Sequence, residues 1–590
     1  MTMTAVMALT TVQAQVTPNV LGEKHVMLRL EQGKKYILMP VQETEEIAAI
    51  AVLDGRNEMV QRLNVKLAVD RVDYWVPFEL KGARLFDIEF HGDHRQKGAV
   101  GEFVCWKETK YSDTFDTANR ERFRPIYHHT PLYGWMNDPN GMFYESSPTG
   151  NDGQAGACGG VWHLYYQFNP YGSQWENMTW GHSTSRDLVH WEAQPLALEA
   201  DWLGSIFSGS CITNGSDVVA FYTSAGMSQT QSMAVSKDNG RTFKKYEGNP
   251  VITSDKPDFR DPNVFWYEPT KRWVMILAVG QEMQLYSSAD LKAWKYESSF
   301  GQEYGNHSGV WECPDLFELE VRSEELGVRS EEVGVNSNLK SKKWVLICNI
   351  NPGGPFGGSA TQYFVGSFDG HKFTCESMPK VTKWLDYGKD HYATVSFYNA
   401  PENRRVVLAW MSNWQYANQV PTKQFRSANS IPRDLGLFTC GEETYLSAVP
   451  SKEMLAMRGA KVKKPTEACE IVVDLNNQAE IVLSNTMGEQ VVMTYDAAKQ
   501  KFTMDRTKSG NVSFSESFPC VTEAPTYGQV KQLRLFIDRC SIEAFDAAGK
   551  MTMTNLVFPS EPYNNIKVKG GKATIYSLTP NPSPKGEGSK

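Results

Sequence analysis

The feature that most constrains this chain is a repeat. An apolar strand recurs as Trp162-His163-Leu164-Tyr165-Tyr166, Val218-Val219-Ala220-Phe221-Tyr222, Trp273-Val274-Met275-Ile276-Leu277, Trp344-Val345-Leu346-Ile347-Cys348 and Val406-Val407-Leu408-Ala409-Trp410. After four of these comes a polar turn: Ser185-Arg186-Asp187-Leu188-Val189-His190-Trp191, then the segments opened by Ser236-Lys237-Asp238, Ser288-Ala289-Asp290 and Ser367-Phe368-Asp369. The spacing is roughly 50 to 60 residues, the period of four-stranded propeller blades, so five strand copies predict five blades. One interval is stretched by a near-tandem heptad, Val321-Arg322-Ser323-Glu324-Glu325-Leu326-Gly327 and Val328-Arg329-Ser330-Glu331-Glu332-Val333-Gly334. Two copies without an apolar seam bury no face, so residues 321–341 are expected to be a solvated surface insertion.

The repeat does not account for the whole chain, and 590 residues are too many for one hydrophobic core. Residues 24–110 alternate as short strands (His25 to Leu30, Lys35 to Met39, Ala83 to Phe90) and predict a small N-terminal β-domain. A polar connector leads to the propeller, 122–450. Strands such as Leu533 to Asp538 and Ile542 to Phe545 predict a C-terminal β-sandwich over 455–578, and a Pro/Gly/Ser/Lys-rich tail covers 579–590. The fold class is therefore all-β: a five-bladed propeller, a C-terminal sandwich and a small N-terminal β-domain. Residues 1–20 read as the remnant of an export signal, with Val12-Gln13-Ala14 as a small-x-small cleavage site, which implies a secreted or periplasmic protein.

A net charge of -8 without a basic cluster leaves no electrostatic footprint for nucleic acid. No apolar run of about 18 residues spans a membrane. The ten cysteines show neither CxxC pairs nor Cys/His grouping at metal-ligand spacing, so no metal site is expected. Sixteen tryptophans suit β-sheet cores, and indole faces also stack on sugar rings.

Three carboxylates stand out. Asp138 lies in Trp135-Met136-Asn137-Asp138-Pro139-Asn140-Gly141, where Asn, Pro and Gly force a sharp turn near a strand end. Asp261, in Phe259-Arg260-Asp261-Pro262-Asn263, has an arginine beside it to orient its carboxylate. Glu312, in Trp311-Glu312-Cys313-Pro314-Asp315, sits between an indole and a thiol that withdraw water from it. Singly, each reads as a turn cap or a hydrogen-bonded surface acid. Together they fall at similar phases of their blades, near the start of the first strands, and in a propeller such positions converge on one end of the channel. Glycoside cleavage gives converging acids separate tasks: nucleophile, acid/base and stabiliser of positive charge.

In this order and framework the three motifs resemble glycoside hydrolase family 32, the invertases, levanases and inulinases, from about residue 125 onward. Leu533-Arg534-Leu535-Phe536-Ile537-Asp538-Arg539 is also similar to the family. The resemblance implies a retaining hydrolase that needs no cofactor and releases terminal fructose from levan, inulin or sucrose. It implies Asp138 as nucleophile, Asp261 as transition-state stabiliser and Glu312 as acid/base. It also implies a fructose pocket lined by Asn137, Gln167, Trp175, Phe207, Ser208, Arg260, Asp386 and Trp410, the last of which also reads as core. Ala409 to Ala417, Pro421-Thr422 and Arg426-Ser427-Ala428 are most similar to the exo-acting branch. Gln424-Phe425 departs from the family, which usually has a tryptophan before the arginine, and the N-terminal domain is a second departure. A fructosyltransferase and a noncatalytic fructan-binding propeller are the competing readings, and a related five-bladed hydrolase of arabinan or xylan fits the fold without the Trp135–Gly141 motif.

Overall fold

The computed structural model describes residues 16–94, 96–117, 121–146, 159–321 and 342–579. The insertion beyond Val321 and the tail from residue 580 lie outside the described residues, as does the expected leader up to residue 15. Residues 16–20, expected to belong to that leader, are instead part of the fold. Val16 is buried, and Asn19–Val20 pairs antiparallel with His25–Arg29.

Strands dominate; among the described residues the α-helices are the short Val104–Glu108 and Glu453–Ala456. Five sheets follow one another along the middle of the chain, antiparallel except where Phe425–Arg426 joins the first of them in parallel. Their first strands are Gly134–Glu145, Ser205–Asn214, Phe259–Tyr267, Val310–Glu320 and Tyr392–Ser396. The five recurrent apolar segments are all second strands, buried on both faces, which explains why they read as continuous apolar runs rather than alternating ones. The serine-aspartate turns join third to fourth strands, and in each the aspartate carboxylate caps backbone N–H groups: His190 N on Asp187 at 2.8 Å, Thr242 N on Asp238 at 2.9 Å, Ala293 N on Asp290 at 2.9 Å and Lys372 N on Asp369 at 2.7 Å.

Apolar cores fill the spaces between consecutive sheets. Cys211 and Tyr222 meet Tyr165 and Trp180, Phe221 meets Met275, Ile276 meets Leu346, and Val345 meets Val407. Tyr144 and Trp162 meet Phe397 and Leu408, so the fifth sheet packs on the first. The first strands also neighbour one another in the same cyclic order.

On the N-terminal side a five-stranded sheet and a three-stranded sheet enclose their own core, with Met59–Val65 as an outer strand. On the C-terminal side nine strands form one hydrogen-bonded network around Cys469–Ser484 and Asn565–Leu578. This network is bound to the five sheets by buried ions. Asp538 accepts the backbone N–H of Ile126 (2.8 Å) and Tyr127 (3.1 Å) and a bond from His128 Nδ1 (2.8 Å). Arg433, 0% exposed, donates to Asp386 (2.7 Å), Glu543 (2.6 Å) and Thr554 (2.6 Å).

Removing one partner of such a cluster leaves its opposite charges buried and unpaired, at a cost of about 3–5 kcal/mol. We expect Arg433→Ala to lower the melting temperature sharply, whereas Lys244→Ala, which breaks an exposed pair with Glu247, leaves it within about 1 °C of the parent. Equal melting temperatures for the two variants would remove the clamp from the account.

Candidate active site

All five first strands carry a β-bulge at the same level. The strand-to-strand register shifts so that two residues oppose one: Asn137-Asp138, Phe207-Ser208, Asp261-Pro262, Cys313-Pro314 and Ala393-Thr394. A bulge bends its strand and re-aims side chains. Asp261, Cys313 and Ala393 adopt positive φ (64°, 42° and 53°), a conformation that non-glycine residues hold only when surrounding structure enforces it. Proline lacks an N–H to offer a ladder, so Pro262 and Pro314 sit within bulges and Pro139 immediately follows one.

The bulges bring the three acids together. Asp138 Oδ2 accepts a bond from Ser208 Oγ (2.7 Å), and Oδ1 accepts one from Asn137 Nδ2 (3.0 Å), whose own Oδ1 is fixed by Trp135 Nε1 (2.8 Å). Asp261 Oδ2 accepts the Cys313 backbone N–H (2.9 Å). Cys313 Sγ lies 3.6 Å from both Asp138 Oδ2 and Asp261 Oδ2, joining the two carboxylates. Glu312 Oε1 accepts from Arg260 Nη2 (2.9 Å) and Nε (3.2 Å), and its Oε2 accepts from the Tyr392 hydroxyl. Arg260 is anchored in turn by Asp258 (2.7 Å) and Gln229 (3.1 Å).

Electrostatics differentiate these groups. Burial, reinforced by the charge of Glu312, pushes the Asp138 carboxyl up to about 6, against the hydrogen bonds from Ser208 and Asn137. Burial also raises Asp261, opposed by Arg260 and reinforced by Glu312. Tyr392 is held well above its usual range by burial and the Glu312 charge, so it stays a donor. A carboxyl so raised is ionised, and able to attack, only above about pH 6, so the rate of a reaction that begins with its attack is expected to fall tenfold per pH unit below that. Ser208→Ala removes a bond that favours the ionised form and moves this acid limb upward by roughly half to one unit. A limb that does not move in a pH–rate profile of the variant would separate Asp138 from it.

Around the acids, the Phe207 ring meets Trp175 edge-on at 6.0 Å, Phe207 O accepts Trp180 Nε1 (3.0 Å), and Gln167 Nε2 donates to Ile206 O (3.0 Å). Trp175 is 41% exposed on the rim. Two residues expected to line the pocket stand elsewhere. Asp386 is buried at the junction with the C-terminal strands, and its carboxylate is filled by Gly388 N (2.7 Å), Thr554 N (2.8 Å), Thr554 Oγ1 (2.8 Å) and Arg433 (2.7 Å), leaving no acceptor for a sugar hydroxyl. Trp410 is fully buried behind the wall, against Trp135 at 5.8 Å and Trp414 at 4.7 Å, so its surface is not offered to a ligand.

The motifs left two participants unread. Tyr392 comes from the bulge region of the fifth first strand, which by the symmetry of the repeat had to contribute something. Trp414, partly exposed and stacked at 27° on Trp135, stands in front of Trp410. A cavity of about 930 Å³ opens on the opposite side of the bulges, lined by the strand segments that follow them, such as Met142, Phe265 and Phe317. It is lined in part by Asp261, Ser208 and Cys313 but by neither Asp138 nor Glu312.

Residues 128–450 match the model of the glycosyl hydrolases family 32 N-terminal domain, 448–581 that of the family 32 C-terminal domain, and 22–127 a domain of unknown function, DUF4980. The chain is 41% identical over 505 residues to a levanase of Bacillus subtilis (strain 168), covering 78% of this chain and 70% of that protein. It is 36% identical over 537 residues to an extracellular exo-inulinase of Aspergillus awamori, covering 77% of this chain and 94% of the relative. Among solved structures, exo-inulinase from Aspergillus awamori superposes with a TM-score of 0.68 at 32% identity, over 79% of this chain and 99% of that one. β-Fructofuranosidase from Schwanniomyces occidentalis, complexed with fructosyl-erythritol, gives 0.67 at 30% identity, over 79% and 100%.

Proposed function

The chain belongs to glycosyl hydrolase family 32, and on that premise we propose that it releases terminal fructose from β-fructans and sucrose by a retaining double displacement. The observation that supports the mechanism is the convergence of three carboxylates at the bulges: Cys313 Sγ lies 3.6 Å from both Asp138 and Asp261, and Arg260 reaches both Glu312 and Asp261. Asp138 is held by hydroxyl and amide donors, and Glu312 by a guanidinium and a phenol.

Asp138 attacks the anomeric carbon of the terminal fructosyl unit while protonated Glu312 gives its proton to the departing glycosidic oxygen. Glu312, now ionised, takes a proton from water, whose oxygen displaces Asp138 and frees fructose with its configuration retained. Asp261 accepts hydrogen bonds from ring hydroxyls, and these strengthen as oxocarbenium character develops. Asn137, Gln167, Ser208, Arg260, Phe207 and Trp175 bound the pocket.

The five sheets are read as five blades closed into a ring over 122–450, which the cyclic neighbouring of their first strands and the packing of the fifth sheet on the first support. Residues 455–578 are read as a β-sandwich and 24–110 as the core of a separate N-terminal domain. Encounter with substrate outside the cytoplasm is supported by relatives named extracellular.

Chromatography over time on levan, inulin and sucrose tests the activity. Fructose alone from the first time point is expected; early oligosaccharides would indicate internal cleavage, and absence of product would leave a binding protein.

A further inference from the structure

Trp175 is carried by the segment joining the second and third strands of the first sheet, Asn169 to Met178. The segment is braced internally, Asn169 Oδ1 accepting from Tyr171 N (2.9 Å) and Asn177 Nδ2 (3.0 Å). From the catalytic region it is held by Asn418, whose Oδ1 accepts Trp175 N (3.1 Å), and by Lys423 O, which accepts from Ser173 Oγ; further bonds come from the N-terminal domain. The Tyr171 ring is part of that domain's apolar core, 6.0 Å from Phe78, and its hydroxyl accepts from Gln61 Nε2 (3.0 Å). Ser173 N donates to the Tyr74 hydroxyl (2.9 Å).

The tightest joint is at Asn64. Met59–Val65 is an outer strand whose free N–H and C=O groups would otherwise face water. The Asn177 carboxamide takes both groups of Asn64 as a neighbouring strand would, Oδ1 accepting from Asn64 N (2.8 Å) and Nδ2 donating to Asn64 O (2.8 Å). Asn177 adopts φ 47°, which asparagine tolerates better than most residues. Arg426, 2% exposed, completes the bracing: it donates to Glu43 of the N-terminal domain (3.1 Å) and to Ser173 O (2.7 Å), while its own backbone pairs with Trp135 beside the Asp138 bulge.

The segment therefore has two faces. Residues 171, 173 and 177 bind the N-terminal domain, while Trp175 between them turns its indole to Phe207. We propose that the N-terminal domain is a working part of the sugar pocket: it positions Trp175 as the aromatic wall against which the terminal fructosyl ring is held. This rests on the fructose-releasing activity and deepens it. Gln61 and Tyr74 are positioning residues that act through Trp175.

The test is a double-mutant cycle in the full-length protein, comparing Gln61→Leu/Tyr74→Phe in the parent and in a Trp175→Ala background with sucrose and levan. In the parent, KM is expected to rise about fivefold with kcat within about twofold, because the wall is loosened and the acids are untouched. In the Trp175→Ala background the same changes are expected to leave KM unaltered. A KM unchanged in the parent, or raised equally in both backgrounds, overturns the proposal. Tyr74→Phe alone, a single hydroxyl deletion, supplies the same comparison should the double substitution fold poorly. A parent that releases no fructose would instead defeat the activity on which the inference rests.

Discussion

Asp138→Asn is expected to lower kcat by about four to six orders of magnitude while leaving the fold intact. The amide cannot form the fructosyl ester through which the reaction divides into two easier steps, and no other carboxylate is placed to replace it. Asp261 is tied to the Cys313 backbone and Glu312 to Arg260 and Tyr392. Circular dichroism and melting curves check that the fold survives; a kcat within about tenfold of the parent would contradict the assignment of Asp138.

Glu312→Ala is expected to have an effect that depends on the leaving group. With sucrose or a fructan, where the departing alkoxide needs a proton, kcat falls by about three orders of magnitude. With a fructoside whose leaving group is acidic enough to depart unaided, the first step is largely spared and the fructosyl ester accumulates. Added azide, which needs no general base, then restores turnover and yields a fructosyl azide. An equal loss with every leaving group, and no response to azide, would mean that Glu312 supports the site without transferring a proton.

Much of this was legible in the sequence for a physical reason. Second strands buried on both faces must be uniformly apolar, so they announce themselves at regular intervals, and the aspartates that cap each following turn leave a second periodic mark. The acids at equivalent phases of the repeat followed from that framework. What was written only faintly was the bulge. Asp138-Pro139, Asp261-Pro262 and Cys313-Pro314 mark it by a proline in or beside an otherwise ordinary strand, but Phe207-Ser208 and Ala393-Thr394 carry no such residue. Tyr392 was missed on that account.

The misplaced residues fail for a different reason. Asp386 lies in a polar motif, Asp386-Tyr387-Gly388-Lys389-Asp390, that reads equally as a sugar site and as a buried ion cluster. The partners that decide it, Arg433 and Thr554, are distant in sequence and invisible to local pattern. Asp390 shows the same logic, meeting Arg506 and the Tyr416 hydroxyl in the interior. Residues 16–20 were assigned to a leader because small apolar residues fit one as well as they fit an outer strand. The N-terminal domain's reach to the Trp175 segment depends on contacts between residues far apart in sequence, such as Asn64 with Asn177.

The most direct test of the account is to trap the fructosyl ester. The Glu312→Ala variant is mixed with an activated fructoside, quenched in acid, digested and mapped by mass spectrometry. The account predicts one added dehydrated hexose on the peptide containing Asp138, absent when Asp138→Asn is combined with Glu312→Ala. A label on another residue, or turnover through an intermediate that never becomes covalent, would contradict it.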